Sequence, residues 1–199
     1  MRNKYLLLRH GESVFNKELR YQGWSKNVPL TEYGRHQVES RINLVKKFNP
    51  DIIIASPVMR TRQTAQIFAS ALKKDVLFSK LIIDFRRSEA MEGKLQEEYA
   101  GSKEYIEWLK KSEEDWDFKL SDGESYNGFN DRVKEFLTFI DNRCNKKKIL
   151  IVTHGDVIRV IIKVKTGIEL QRKDVMNVFA CELSLARKKA EVYKFREIK

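Results

Sequence analysis

The sequence predicts an α/β protein, a three-layer α/β/α sandwich around a mostly parallel central sheet. Three observations carry that prediction. Tyr5–Leu8, Ile52–Ala55 and Ile149–Val152 are short apolar runs that do not alternate between faces. Such runs suit strands buried on both sides of a parallel sheet, whereas a half-solvated strand alternates. Between them lie segments whose apolar residues recur at helical spacing, so strands and helices alternate along the chain. No linker, repeat or low-complexity tract interrupts the order, and right-handed crossovers then place helices on both faces.

The first strand, Tyr5–Leu8, stops at the charged pair Arg9-His10, and Gly11 is expected to free the backbone for a turn. Groups leaving the carboxyl end of such a strand face the crevice where open α/β sheets bind ligands. Val14 to about Tyr21 reads as a short helix or turn, and Gln22-Gly23-Trp24 as a loop over that crevice. Thr31 is a good N-cap and Glu32 favours a first turn. Tyr33, Val38, Ile42, Val45 and Phe48 then follow at near-helical spacing until Asn49-Pro50 ends the helix. Ile52–Ala55 is the second buried strand, Ser56-Pro57 opens the next turn, and Arg60 lies just past it. Thr61 to Leu72 continues as a helix with Ala65, Phe68 and Leu72 on one face, and Val76-Leu77-Phe78 is a short third strand.

Residues 94–123 form a charged excursion carrying Tyr105, Trp108, Trp116 and Phe118, expected to be helical and to cover the crevice. Its aromatic residues are read as packing it down rather than touching a ligand. Ser125 to Cys144 is an amphipathic helix with Phe129, Val133, Phe136 and Ile140 in phase. The strand Lys148–Thr153 follows, then a helix from Asp156 to about Thr166 ended by Gly167. Two strands, Asn177–Leu185 and Ala190–Glu197, are joined through Arg187-Lys188-Lys189.

A chain of 199 residues fits one domain with a single substantial core, here taken as 1–199. It is 42% hydrophobic and 34% charged, as expected of a soluble globular protein. No apolar run approaches the roughly 20 residues that cross a bilayer, so no membrane partner is expected. The first strand begins almost at once, leaving no room for a leader, and a cytoplasmic location is the expectation. Cys144 and Cys181 make neither a disulfide framework nor a metal-ligand spacing. The three histidines lie in no metal-binding pattern, so neither a metal nor another cofactor is expected. Lys and Arg exceed Asp and Glu by 39 to 28, a formal charge of +11. The excess is scattered in short runs such as Lys146-Lys147-Lys148, which read as solvated faces. With no nucleic-acid-binding motif, a nucleic-acid partner is not expected. Oligomeric state is not readable.

Two of the three histidines stand immediately before a glycine at the end of a buried strand. These are Leu8-Arg9-His10-Gly11 and Val152-Thr153-His154-Gly155. The repetition points to one site shared by both imidazoles at the carboxyl edge of the sheet. His36 sits in a helix with no motif around it and reads as a surface residue.

With its neighbours this pair resembles the histidine phosphatase superfamily, which contains the cofactor-dependent phosphoglycerate mutases and many small phosphatases. The match covers Leu8-Arg9-His10-Gly11-Glu12-Ser13 with Asn16, Gln22-Gly23-Trp24, Pro29-Leu30-Thr31 with Gly34, and Ser56-Pro57 with Arg60 and Gln63-Thr64-Ala65. It continues through Gly123-Glu124-Ser125 with Arg132 to Val152-Thr153-His154-Gly155, in family order. The resemblance implies a phosphoglycerate mutase-like fold and a phosphorylated small molecule as substrate. It assigns His10 as nucleophile, Arg9 and Arg60 as the phosphate clamp, and a protonated His154 as a further donor. Asn16, Gln22, Gly23 and Gly155 match substrate-binding positions.

Phosphoryl transfer needs a nucleophile, cations for the phosphoryl oxygens and a proton for the leaving oxygen. A neutral imidazole supplies the first through a phosphohistidine. Guanidinium groups match phosphate geometry better than point-like ammonium groups. The proton donor is where the chain departs from the family. Counting back from Glu92-Gly93, the expected glutamate falls on Phe85, with Asp84 beside it. Asp84 displaced by one residue is the favoured donor, with Glu89 and Glu92 as alternatives. The mutase-like Glu-Arg-His-Tyr-Gly is absent here, which favours a phosphatase. The alternatives are a cofactor-dependent phosphoglycerate mutase and a non-catalytic anion-binding pseudo-enzyme.

Overall fold

The computed structural model describes residues 3–120, 122–184 and 189–193. Among the described residues six strands form one sheet: β1 (Lys4–Arg9), β2 (Ile52–Ala55), β3 (Val76–Phe78), β4 (Lys148–Thr153), β5 (Ala180–Ser184) and β6 (Lys189–Tyr193). Their spatial order is β3-β2-β4-β1-β5-β6. β3, β2, β4 and β1 run parallel, and β5 and β6 add an antiparallel edge. Of the expected last two strands, Leu185 and residues 194–197 lie outside the described residues, as do residues 186–188 of the connection between them.

Alternate residues of the central strands enter two separate cores. Tyr5, Leu7, Ile54, Ile149 and Ile151 pack on one face with Trp108, Phe129, Val133, Phe136, Val157 and Ile161. Leu6, Leu8, Ile53, Ala55, Leu150 and Val152 pack on the other with Val38, Val45, Phe48, Ala65 and Phe68. Both faces of β1 and β4 are therefore dry, which is why their sequences show no polar alternation. The first face is covered by α7 (Tyr126–Arg143) and α8 (Gly155–Thr166). The second is covered by α2 (Glu32–Glu39), α3 (Ile42–Phe48) and α4 (Met59–Leu72). A short α1 (Val14–Lys17) follows β1, and α5 (Gln96–Ala100) and α6 (Lys103–Glu114) lie in the 94–123 excursion. Trp108 of α6 is 1% exposed and Tyr99 of α5 stacks on Tyr21.

Two local expectations change. The segment from Glu32 to Phe48 is two helices, not one, broken at Ser40-Arg41. Ser40 Oγ donates to the Gln37 carbonyl at 2.6 Å, a local bond that competes with helix continuation. Gly11 is not a left-handed turn residue, since only Gly23, Gly93 and Gly167 among the glycines have positive φ. A side chain at Gly11 would instead run into the Gly34 carbonyl, and one at Gly34 into the Glu12 carbonyl. This pair of glycines lets α2 approach the loop after β1. His36 is exposed, beside Glu39, and both cysteines are free thiols.

Candidate active site

The parallel strands β1, β4 and β2 end side by side, and their last residues deliver the site. His10 follows β1, His154 follows β4, Ser56 follows β2, and Arg60 lies on the first turn of α4. The two imidazoles meet edge to face with ring centroids 5.4 Å apart. His10 is 1% exposed, and His154 and Arg60 are fully buried.

His10 Nδ1–H donates to the carbonyl of its neighbour Gly11 at 2.7 Å. That bond fixes the tautomer and leaves the lone pair on Nε2. Burial, then Arg60 and Arg9, push His10 well below the ordinary imidazole value, so it is neutral at pH 7. His154 Nε2–H donates to Ser56 Oγ at 2.8 Å, while its Nδ1 accepts from Arg60 Nη2 at 3.4 Å. The imidazolium expected at His154 is not the form that its protein surroundings favour. Full burial, then the Arg60 charge, hold this ring too well below its usual value.

Arg60 is aimed by the loop after α1. Its Nη1 and Nη2 donate to the carbonyls of Ser25 and Gly23 at 3.1 and 2.9 Å, and its Nε has no partner. Burial lowers Arg60 to about 10, still a cation at neutral pH. Arg9 donates from Nη1 to the Val175 carbonyl at 2.6 Å, and its buried Nε is likewise unpaired. Two buried guanidinium groups with orphan donors beside two neutral imidazoles make a concentration of positive charge suited to an anion, and the nearby Asp84 acts on both.

Asn16, Gln22 and Ser13 form one polar cluster at the rim. Ser13 Oγ lies 2.8 Å from Gln22 Oε1 and 3.0 Å from Asn16 Oδ1. Asn177 Nδ2, not foreseen from the sequence, bridges the His10 carbonyl at 3.1 Å and Asn16 Oδ1 at 3.2 Å. The amide oxygens are thus taken by protein donors and the NH₂ groups remain for a ligand. Gly23 has φ +46°, and a side chain there would strike the Glu92 carboxylate. Gly155 is the first residue of α8, lying against Arg9 and the Val175 carbonyl.

Of the three candidate acids, Asp84 is the one that lies against a site histidine, His154. Its Oδ2 is 3.8 Å from His154 Nδ1. With His154 neutral this is a polar contact, not an ion pair. Glu89 is 73% exposed and pairs with Arg86. Glu92 accepts from Trp24 N at 2.6 Å and Ser25 Oγ at 3.1 Å, so it braces the loop that aims Arg60. Asp84 is held through its backbone: Arg132 donates to the carbonyls of Leu81, Ile83 and Asp84, and Trp24 Nε1 donates to Asp84 as well. Glu124 pairs with Arg132 at 2.6 Å and accepts from Arg86 N at 3.1 Å. Burial, then the nearby Asp156, raise the Asp84 carboxyl to about 6, with Arg60 and Arg9 pulling the other way. Burial works against the Asp156 charge too, but Arg172, Arg87 and Arg159 outweigh it and keep Asp156 below the usual range.

The family model for the histidine phosphatase superfamily, branch 1, matches residues 5–198. The chain belongs to this superfamily. Among its histidine phosphatase relatives is GpmB of Escherichia coli, named as a probable phosphoglycerate mutase. It is 30% identical over 187 residues, covering 89% of this chain and 81% of that one. A phosphoserine phosphatase of Entamoeba histolytica, solved with 3-phosphoglyceric acid, superposes with a TM-score of 0.76 at 26% identity, covering 99% and 98% of the two chains. The alpha-ribazole phosphatase of Shigella flexneri shares the fold, with a TM-score of 0.78 at 21% identity over 96% and 94%.

This histidine phosphatase should carry a stability cost at Asp84. The carboxyl is raised from its ordinary 3.8 to about 6, so the unfolded chain ionises first as pH rises. Native stability is whole below pH 4 and is lost from about pH 4 to 6, by at most about 3 kcal/mol. Denaturant melts should therefore show Asp84→Asn gaining on the wild type across that window and matching it below. A constant difference would mean that the carboxyl is not raised.

Proposed function

We propose that this protein is a phosphatase that hydrolyses phosphomonoesters of small metabolites through a phosphohistidine on His10. The observation that carries it is the His10 ring. It is buried and neutral, with Nδ1–H tied to Gly11 and the Nε2 lone pair free, beside two guanidinium groups with unpaired donors. Nε2 attacks phosphorus, the ester oxygen departs with the Asp84 proton, and the phosphoryl group rests on His10. Water then attacks it, Asp84 takes the proton back, and inorganic phosphate leaves.

Arg9 and Arg60 hold the phosphoryl oxygens, joined by the amide groups of Asn16 and Gln22. Gly23, at positive φ, presents the carbonyl that aims Arg60, and Gly155 lies beside Arg9. The substrate dianion supplies a counter-charge beside His154, so its Nδ1 takes a proton and donates to the developing charge. An acid near pKa 6 suits protonation of an alkoxide at neutral pH. The solved phosphoserine phosphatase supports hydrolysis over transfer, and GpmB keeps the mutase as the second reading. We place the reaction in the cytoplasm, within one domain whose 94–123 excursion covers the site.

Because the chain's own cations clamp the phosphate, turnover is expected to need no metal. Purified protein should hydrolyse a panel of phosphomonoesters in excess chelator at a rate within about twofold of the untreated protein. A loss restored only by a divalent cation would contradict the clamp. Transfer of phosphate between positions of phosphoglycerate, faster than its release, would favour the mutase.

A further inference from the structure

We propose that Asn177 is a positioning residue that turns the amide of Asn16 toward the phosphoryl group and ties it to the backbone of His10. The inference rests on the phosphatase reading of the same site and adds a residue to it. Asn177 lies in none of the segments through which the sequence resembles the histidine phosphatases, and it enters the site from the far end of the chain.

Topology brings it there. β5 runs antiparallel to β1, so the start of β5 lies at the carboxyl edge of the parallel strands. Leu8 pairs with Ala180, and Arg9 N donates to the Phe179 carbonyl at 3.0 Å. One step further, Val178 N donates to the His10 carbonyl at 3.3 Å. Val178 is fully buried at φ +50°, a left-handed conformation that a β-branched residue seldom adopts. Such a residue does not extend a strand, so the ladder stops and Asn177 turns away from it. Backbone strain of this kind persists only where the surroundings over-determine it. Here the His10 carbonyl holds the Val178 amide, and the side chain packs in the core with Leu8 and Ala180. In the same return the Val175 carbonyl accepts from Arg9 Nη1, so residues 175–178 touch Arg9, His10 and Asn16 together.

One NH₂ group makes both side-chain bonds of Asn177. Its Nδ2 donates to the His10 carbonyl at 3.1 Å and to Asn16 Oδ1 at 3.2 Å. The two hydrogens of a primary amide lie in one plane, so a single rigid group spans the backbone of the nucleophile and the side chain of Asn16. Asn16 Oδ1 accepts from Ser13 N as well, at 3.2 Å. With its oxygen engaged by two protein donors, the Asn16 amide has its NH₂ left for a ligand. Phosphoryl oxygens accept hydrogen bonds, so this orientation binds them, and the reverse would set a carbonyl oxygen against an anion. An amide keeps almost the same shape when it is flipped, so hydrogen bonds and not packing decide which end faces the phosphate.

Calorimetric titration with inorganic phosphate, the expected product, reads binding apart from turnover. Its stoichiometry reports the folded fraction separately from the affinity. Asn177→Ala should weaken phosphate about 5- to 20-fold at unchanged stoichiometry. In an Asn16→Ala background the same substitution should change the affinity by less than about twofold, because the group it positions is gone. Asn177→Leu, which keeps the volume, should repeat these results, and it carries the cycle should the alanine variant fail to fold. Losses that add across the two sites, or native affinity in Asn177→Ala, would overturn the proposal. A lower stoichiometry at native affinity would overturn it too, as the mark of a merely structural staple, and so would native protein that binds no phosphate. A coupled pair in protein that hydrolyses no phosphomonoester would sink the phosphatase reading and leave this one standing. Hydrolysis with additive losses would do the reverse.

Discussion

His10→Ala is expected to abolish turnover, with a loss of roughly 10⁴- to 10⁶-fold, and to abolish acid-labile phosphate on the protein. The reasoning starts from the backbone. His10 N donates to the Thr153 carbonyl at 3.1 Å, and its own carbonyl accepts from Val178 N and from Asn177. All of these bonds survive the substitution. The imidazole itself makes one hydrogen bond, to Gly11, so its removal costs little scaffold. What is lost is Nε2, and no other described nucleophile stands between the buried guanidinium groups: the second ring, His154, has its Nε2 committed to Ser56. Rapid acid- and base-quench of the protein mixed with a radiolabelled phosphomonoester should show base-stable, acid-labile label in the wild type and none in the variant. Turnover by His10→Ala at a wild-type rate would remove the covalent mechanism.

How far the site was legible depends on how local its causes are. The strand ends that carry Arg9, His10 and His154 are written in contiguous residues, an apolar run, then the polar group, then glycine. The fold followed for the same reason, because β1, β2 and β4 are dry on both faces and their sequences say so. The break between α2 and α3 was hidden, since Val38, Ile42 and Val45 keep helical phase across it while one serine hydroxyl diverts the backbone. The glycine after His10 was assigned to the wrong cause, because close packing on Gly34 lies 23 residues away in the chain. The neutral state of His154 was also invisible, being set by burial and by Arg60 from another strand end. Ser56 was legible only as part of a turn motif and Asn177 had no signature of its own, so their contacts to His154 and His10 come from where the chain returns.

The acid shows the same limit and gives the sharpest test. Spacing could only place the donor near Phe85, because the family pattern is offset here. Distance favours Asp84, which lies beside His154 because a long-range clamp, Arg132 with Glu124, grips the carbonyls on either side of it. The oxygen leaving an alkyl phosphate is a strongly basic alkoxide, and protonation as the bond breaks is worth typically 10²–10⁴-fold. A p-nitrophenolate is stable at neutral pH without that proton. Asp84→Asn keeps the size of the side chain and removes the transferable proton. Hydrolysis of an alkyl phosphate should fall about 10²–10⁴-fold while p-nitrophenyl phosphate loses less than about tenfold. Glu89→Gln should leave both near wild type, since Glu89 sits at the surface against Arg86. Glu92→Gln loosens the loop that aims Arg60, so it should lower both substrates together and show no split. The pH profiles carry an independent reading. With Asp84 near 6, kcat/KM for the alkyl ester should decline above about pH 6 in the wild type more steeply than in Asp84→Asn, whose residual profile reports only the ionisation of the phosphate. A split that follows Glu89 instead, or equal losses on both substrates for Asp84→Asn, would remove Asp84 as the acid.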